Sequence, residues 1–519
     1  MSILQVNKLG HGFGARSLFH DVSFRLLRGE HVGLIGSNGT GKSTLVEIIT
    51  GQTQPDEGTV EWSKRASVGY LDQHTRLTAG TSVRDVLRDA FRHLYELEAD
   101  LVTVGEALGS ADPDAMESLL EDMGDIQDRL EISGFYMIDA KVEEIAKGLG
   151  ITAIGLDRDV AELSGGQRTK VLLAKLLLQQ PNVMILDEPT NYLDEEHITW
   201  LTEYLQGYPY AFLLVSHDTF FMNDVVNLIY HLEGGQLTRY SGNYEAFLRV
   251  YEQRRMQQES AFERQQEEIA RVEDFIARNK ARVSTRGMAG SRQKMLDRME
   301  RLEKPATYPR PTFNFKEGRN SSKIVFKSDG MEIGYTFPLL PPLSMSLERG
   351  QKVAVTGMNG IGKSTLLKTM LGLVAPVRGT AEQGDNLLKA YFAQEEAMDD
   401  ERTPLDELWD AFPWLSNNEV RGRLSSSGLT AEHYNNKMFN LSGGEQAKVR
   451  LAKLQINESN WLVLDEPTNH LDVAAKEELA VALKRFKGTL VLVCHEPEFY
   501  QDWISDVWSV EAWAKQAAR

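Results

Sequence analysis

Along this chain, short apolar runs alternate with longer stretches whose apolar positions recur every three or four residues. The runs at 31–35, 183–186, 211–215, 352–356, 461–464 and 490–494 are four or five residues long and mostly aliphatic. Such runs predict buried strands of a parallel sheet covered on both faces, where polar alternation has no solvent side to serve. None approaches the roughly 20 apolar residues that a helix needs to cross a bilayer.

Two stretches carry helical periodicity instead. Leu87, Phe91, Leu94, Leu97, Leu101, Val104 and Leu108 form one stripe; residues 109–113 interrupt it; Met116, Leu119, Met123, Ile126 and Leu130 resume it. Asp112 before Pro113 suits a helix start. Narrow stripes of this kind predict an antiparallel helical pair packed mainly on itself. Further on, residues 251–281 read as a long polar helix. Residues 284–291, with two glycines, read as a turn, and 292–304 as a returning helix stopped by Pro305.

The chain also repeats itself. Gly36, Ser37, Asn38, Gly39, Thr40, Gly41, Lys42, Ser43 and Thr44 recur as Gly357, Met358, Asn359, Gly360, Ile361, Gly362, Lys363, Ser364 and Thr365. Leu163 followed by Ser164, Gly165, Gly166 and Gln167 returns as Leu441 with Ser442, Gly443, Gly444 and Glu445. The Asp187-Glu188 pair returns as Asp465-Glu466, and His217 as His495, each 278 residues later. The P-loop offset is 321, so the first half carries 43 extra residues, all between Gln73 and Ser164. Those extra residues hold the first helical hairpin, and residues 244–308 hold the second.

Each glycine-rich segment follows a strand and opens a helix, the context that makes G-x-x-x-x-G-K-[ST] a phosphate cradle. Backbone N–H groups curl round phosphate oxygens, the lysine adds a positive charge, and Ser43 or Ser364 offers a hydroxyl to Mg²⁺. Asp187 and Asp465 end their strands beside these loops, where a carboxylate can hold Mg²⁺. Glu188 and Glu466, next in line, can polarise an attacking water.

Composition narrows the class. At 519 residues and 42% hydrophobic content the chain suits two to four globular domains. Its single cysteine, Cys494, excludes an internal disulfide, and no Cys/His cluster suits structural zinc. The N-terminus lacks a signal-peptide layout, so a soluble, cytoplasmic protein is expected. A net charge of −18 argues against indiscriminate coating of nucleic acid.

P-loop, glutamine, Leu-Ser-Gly-Gly, Asp-Glu and a late histidine, in that order and twice over, resemble the nucleotide-binding domains of the ABC ATPase superfamily. The resemblance implies an α/β fold of two tandem P-loop ABC-type ATPase domains in a head-to-tail sandwich, with two ATP molecules and Mg²⁺ between them. Site one would combine Lys42, Ser43, Gln73, Asp187, Glu188 and His217 with Ser442, Gly443 and Gly444. Site two would combine Lys363, Ser364, Gln394, Asp465, Glu466 and His495 with Ser164, Gly165 and Gly166. Gln73 and Gln394 would serve both metal and water, and Phe13 and Tyr335 resemble the aromatics that stack on adenine. Departures are few: Tyr192 stands where the second half has the more usual His470, and His495 follows Cys494 and precedes Glu496. Both sites retain their catalytic groups.

Tyr240-Ser-Gly-Asn-Tyr244, the charged helix after it and the basic residues near Gly290 resemble the ABC-F family over essentially the whole chain. This implies an ATPase domain at 1–243 with a helical arm at 92–136, a helical hairpin linker at 244–308, and a second ATPase domain at 309–519. It also implies a monomer that enters the ribosomal E site, its linker reaching toward P-site tRNA, rRNA and the peptidyl-transferase centre. A general translation factor and an antibiotic-resistance factor both fit, although the turn of about eight residues favours the former. An ATPase subunit serving membrane subunits in trans is the alternative outside the family.

Charge along the chain supports an RNA partner. Residues 276–304 hold nine basic and three acidic residues. The basic set includes Arg278, Lys280, Arg282, Arg286, Arg292 and Lys294, candidate contacts to RNA phosphates and 2′-hydroxyls. Residues 92–139, in contrast, hold thirteen acidic residues and two basic ones. Such an arm suits a basic ribosomal protein, on the L1-stalk side if the family role holds.

Overall fold

The computed structural model of the chain describes residues 2–13, 16–71, 78–109, 112–191, 193–279, 286–299, 301–302, 310–393, 401–504 and 506–517. Each half folds round a parallel sheet built from the apolar runs. In the first half Val68–Tyr70, Val183–Asp187, Ala211–Val215, His31–Ile35 and Leu228–Glu233 lie side by side in that order, with Gln236–Ser241 added antiparallel. In the second, Lys389–Phe392, Trp461–Asp465, Thr489–Val493, Lys352–Thr356 and Asp506–Ser509 repeat the parallel order. After Ser509 the second half turns into the helix Val510–Ala517 in place of a further strand.

Because side chains alternate along a strand, each run feeds two cores. Met184, Leu186, Phe212 and Leu214 pack with the helices on one face of the first sheet. Val183, Ile185, Leu213 and Val215 pack on the other with the P-loop helix and a three-stranded antiparallel sheet. In the second half Leu462, Leu464, Leu490 and Leu492 face one way, and Trp461, Val463, Val491 and Val493 the other. Carboxyl ends of parallel strands, where the loops can reach ligands, therefore carry the P-loops and both Asp-Glu pairs.

The first insertion is a helical pair, Arg92–Leu108 and Pro113–Ser133. Leu94 and Leu130 are the buried side chains of the two helices among the described residues, so most of the pair stands out from the core. Between the halves runs a 36-residue helix, Tyr244–Asn279, beginning earlier than the apolar spacing suggests. An aromatic knot ties its first turns to the first sheet. Phe247 meets Tyr240 edge-on at 5.0 Å, Tyr251 meets His231 at 4.9 Å, and the Tyr251 hydroxyl donates to Glu233 at 2.8 Å.

The returning helix runs Arg286–Arg298, so the expected turn at 284–291 is corrected from its third residue on, and the expected helix of 292–304 ends six residues early. Two glycines cost a helix only about 1 kcal/mol each, and Ala289 on the same segment is buried. Leu296 packs with Ile269, Val272 and Ile276 of the long helix, which gives the segment a face to bury. Among the described residues no helix is long and apolar enough to cross a membrane.

Candidate functional site

Both P-loops curl round their own lysines. Lys42 Nζ donates to the carbonyls of Gly36 and Ser37 at 2.7 and 3.1 Å; Lys363 Nζ donates to those of Gly357 and Met358 at 2.7 and 3.0 Å. Gly41 and Gly362 precede the helices at φ 97° and 110°, a left-handed backbone that disfavours a side chain, and neither helix has a side-chain cap. The first N–H groups of each helix are therefore left to a ligand, and anions bind at such ends.

The two Asp-Glu pairs share a backbone but not an environment. Glu188 and Glu466 both sit at positive φ, 48° and 51°. Glu466 is held from two sides: Asn469 Nδ2 donates to Oε2 at 2.7 Å, and His495 Nε2 lies 3.2 Å from Oε1. Burial raises its pKa, but the His495 hydrogen bond and charge, with Lys363 and Asn469, outweigh burial and hold the carboxyl below its ordinary range. Glu188 has the His217 backbone N–H at 3.3 Å, while the His217 ring stands off at 3.7 Å and Oε1 closes no hydrogen bond. Burial, followed by repulsion from Asp187, pushes Glu188 up to about 8. His217 is pushed down to about 3, by burial and then by the charges of Lys42 and Lys476.

Asp187 and Asp465 are both raised to about 6, chiefly by burial, with Lys42 opposing in the first and the Ser364 hydroxyl and Lys363 in the second. Both Asp465 oxygens are buried, and the Ser364 hydroxyl nearby falls short of full hydrogen-bond geometry to either. Unsatisfied carboxylate oxygens beside a P-loop hydroxyl and lysine fit a hard, oxygen-seeking cation such as Mg²⁺.

Each Leu-Ser-Gly-Gly segment starts a helix through a capping box. Ser164 Oγ accepts from Gln167 N at 3.3 Å and Ser442 Oγ from Glu445 N at 3.4 Å, and the side chains of Gln167 and Glu445 cap back. The second of these segments touches the first P-loop. Asn38 Nδ2 donates to the His470 carbonyl at 3.2 Å, and a Cβ on Gly444 would lie 2.1 Å from Asn38 Nδ2. Glycine is required there by close approach. The halves also enclose a cavity of about 550 Å³ lined by Glu188, His217, Asn469, His470, Lys476 and His495. Burial alone would lower the Lys476 pKa; pairing with Glu496 at 2.8 Å more than offsets it.

Other candidates are less fully seen. Gln73, Gln394, Lys280 and Arg282 lie outside the described residues, as do the side chains of Phe13 and Arg286. Tyr335 is exposed, four residues before Leu339, which packs at Gly362. Arg278 pairs with Asp274 at 2.7 Å, Arg292 lies over the Phe275 ring at 4.0 Å, and Lys294 is exposed.

Three features escaped the motif reading. Glu511 accepts from the Met358 N–H at 2.9 Å, bracing the second P-loop from the C-terminal helix. Lys448, buried, pairs with Asp472 at 2.6 Å, and His433 Nε2 lies 3.2 Å from Glu445 Oε1.

Comparison with known proteins gives a consistent result. A family model described as "ABC transporter" matches residues 19–191 and 340–469, and a second of the same description matches 230–315. The chain is 56% identical over 513 residues, 99% of each protein, to an uncharacterised ABC transporter ATP-binding protein, YfmM, of Bacillus subtilis (strain 168). It is 35% identical over 505 residues to ABC transporter F family member 5 of Arabidopsis thaliana, covering 95% of this chain and 73% of that one. In fold it is similar to the archaeal ribosome recycling factor aABCE1, solved with the ribosomal stalk protein aP1. That match has a TM-score of 0.59 at 19% identity, over 97% of this chain and 87% of the other.

Proposed function

The chain belongs to the ABC-F family of tandem ABC ATPases, and from that premise we propose that its two halves close on two ATP molecules and that the closed form binds the ribosome at the E site. ATP hydrolysis is the family activity; the roles below are this proposal's. Lys42 and Lys363, with the P-loop N–H groups, hold the phosphates in reach of the opposite signature serines, Ser442 and Ser164. Glu188 and Glu466 polarise the attacking waters, with His217 and His495 beside them. Ser43, Gln73 and Asp187, and Ser364, Gln394 and Asp465, would hold Mg²⁺, which supplies positive charge to the phosphate oxygens.

ATP bridges the P-loop of one half and the signature of the other, so its binding energy favours the closed form. Cleavage of the γ-phosphate removes that bridge, and the open form leaves its partner. The linker then acts only in the ATP state, toward P-site tRNA and the peptidyl-transferase region. The acidic arm would meet a basic ribosomal protein on the L1-stalk side, and the cytoplasm is the expected site of action.

The observation that carries the ribosomal reading is the concentration of positive charge in the interdomain hairpin of an otherwise acidic chain. Arg278, Arg292 and Lys294 lie on its two helices, away from the aromatic root. The decisive measurement is sedimentation of a Glu188→Gln/Glu466→Gln protein with ribosomes. It should cosediment in ATP and stay in the supernatant in ADP. Equal distribution in both nucleotides, or association with membranes instead, would reject the reading.

A further inference from the structure

Among the differences between the two signature regions, two form a matched pair. The first half has Gln167 in its capping box and Gly155 twelve residues before it; the second has Glu445 and His433 at the matching positions. Gln167 is partly exposed, whereas Glu445 and His433 are 6% and 8% exposed. A buried carboxylate oxygen without a donor is costly, while an amide carries its own N–H groups and a partly exposed one can turn to solvent.

In the second half Glu445 Oε2 is used by the cap, accepting from Ser442 N at 2.9 Å. Its other oxygen, Oε1, lies 3.2 Å from His433 Nε2, a close contact in which the hydrogen-bond angle is not met. The backbone N–H of Thr430 donates to His433 Nδ1 at 3.1 Å, so Nδ1 is the acceptor and the proton of the neutral ring sits on Nε2, the nitrogen beside Glu445. The run of contacts from Thr430 through His433 and Glu445 to Ser442 N thus sets the signature segment against the helical region preceding it.

That signature segment is the one against Asn38, at Gly444. We propose that His433 is a positioning residue for ATP site one alone: it holds Glu445, and through it the Ser442-Gly443-Gly444 segment, in place against the nucleotide bound by Lys42. The first-half signature, with Gln167 and Gly155, lacks the histidine for such a tether and serves site two. The inference rests on the assignment of the two sites made above.

The test measures ATP turnover by full-length protein in two backgrounds, Glu466→Gln to isolate site one and Glu188→Gln to isolate site two. His433→Ala should raise the KM for ATP five- to tenfold in the first background, with kcat changed less than twofold, and should leave KM unmoved in the second. His433→Gln, whose amide can donate from the place of Nε2, should return KM most of the way. The double change His433→Ala/Glu445→Gln should do the same by recreating the first-half arrangement. An equal KM change in both backgrounds, no change in either, or failure of both rescues would overturn the inference while leaving the site assignment standing. If neither glutamate variant lowered turnover at all, assignment and inference would fall together.

Discussion

Asn38 in the first P-loop donates from Nδ2 to the carbonyl of His470, 432 residues away in the opposite half. The same amide stands where a Cβ on Gly444 would have to go. Gly444→Ala should therefore hold the halves apart at site one, since the nearest atoms are an interface amide and a backbone carbonyl. Turnover in the Glu466→Gln background should fall at least about tenfold, the equivalent of about 1.4 kcal/mol. Small-angle scattering should show the loss of ATP-driven compaction; unchanged compaction would refute this account of the interface.

The two glutamates proposed as catalytic should give different pH profiles. A general base works when ionised, and Glu188 is raised to about 8, so it gains charge as pH rises through that value. Site one, isolated by Glu466→Gln, should speed up about tenfold per unit well below pH 8 and level off above it. Site two, isolated by Glu188→Gln, should be flat from about pH 6 upward, because Glu466 is held below the ordinary carboxylate range. Superimposable profiles would contradict this asymmetry.

Cys494 is buried, and its thiol is pushed up to about 12, first by burial and then by Glu496. Alkylation follows the thiolate, so iodoacetamide at pH 8 should leave the native protein unlabelled. Labelling should begin only as denaturant opens the second half. Because no other cysteine exists, mass spectrometry of the intact chain reads the result directly.

Lys476, mostly buried, pairs with Glu496, a third exposed, in the wall of the interdomain cavity. Lys476→Ala leaves Glu496 without this partner and should cost about 1 kcal/mol, since water still reaches the carboxylate. Lys476→Ala/Glu496→Gln should recover part of the loss. Calorimetric melting of the three proteins would decide, and equal melting temperatures would rule the pair out as a stabilising contact.

Charge in the hairpin predicts a salt signature. Replacing Arg278, Arg292 and Lys294 with Gln should weaken ribosome binding and flatten the dependence of log K on log salt by about two to three units, near one for each phosphate that these side chains neutralise. An unchanged slope would show that these three do not face phosphate.

Strands and P-loops were legible because their cause is local: a run such as Ala211–Val215 is buried on both faces wherever it is placed, and it forms a strand with those bounds. Helix limits in the linker were less legible. Gly287 and Gly290 suggest a turn, and only packing of Leu296 against the long helix reveals why that segment is helical. The difference between Glu188 and Glu466 could not be read at all. Identical Asp-Glu-Pro-Thr strings precede side chains, Asn469 and His495 among them, that close hydrogen bonds in one half and not in the other. His433 and Glu445 lie on separate elements, and a motif search looks at neither as a pair.

The aromatic knot at the root of the linker has a mechanical meaning. Phe247 and Tyr251 fasten the long helix to Tyr240 on the edge strand of the first sheet and His231 on the strand beside it, so the helix must move as that sheet moves. Thirty-six residues of helix make a rod of about 54 Å. A rotation of about 5° at the root swings the far end through about 5 Å, close to the pitch of one helical turn. A proposed domain closure of single degrees would thereby be geared up, by leverage alone, into a stroke of molecular size.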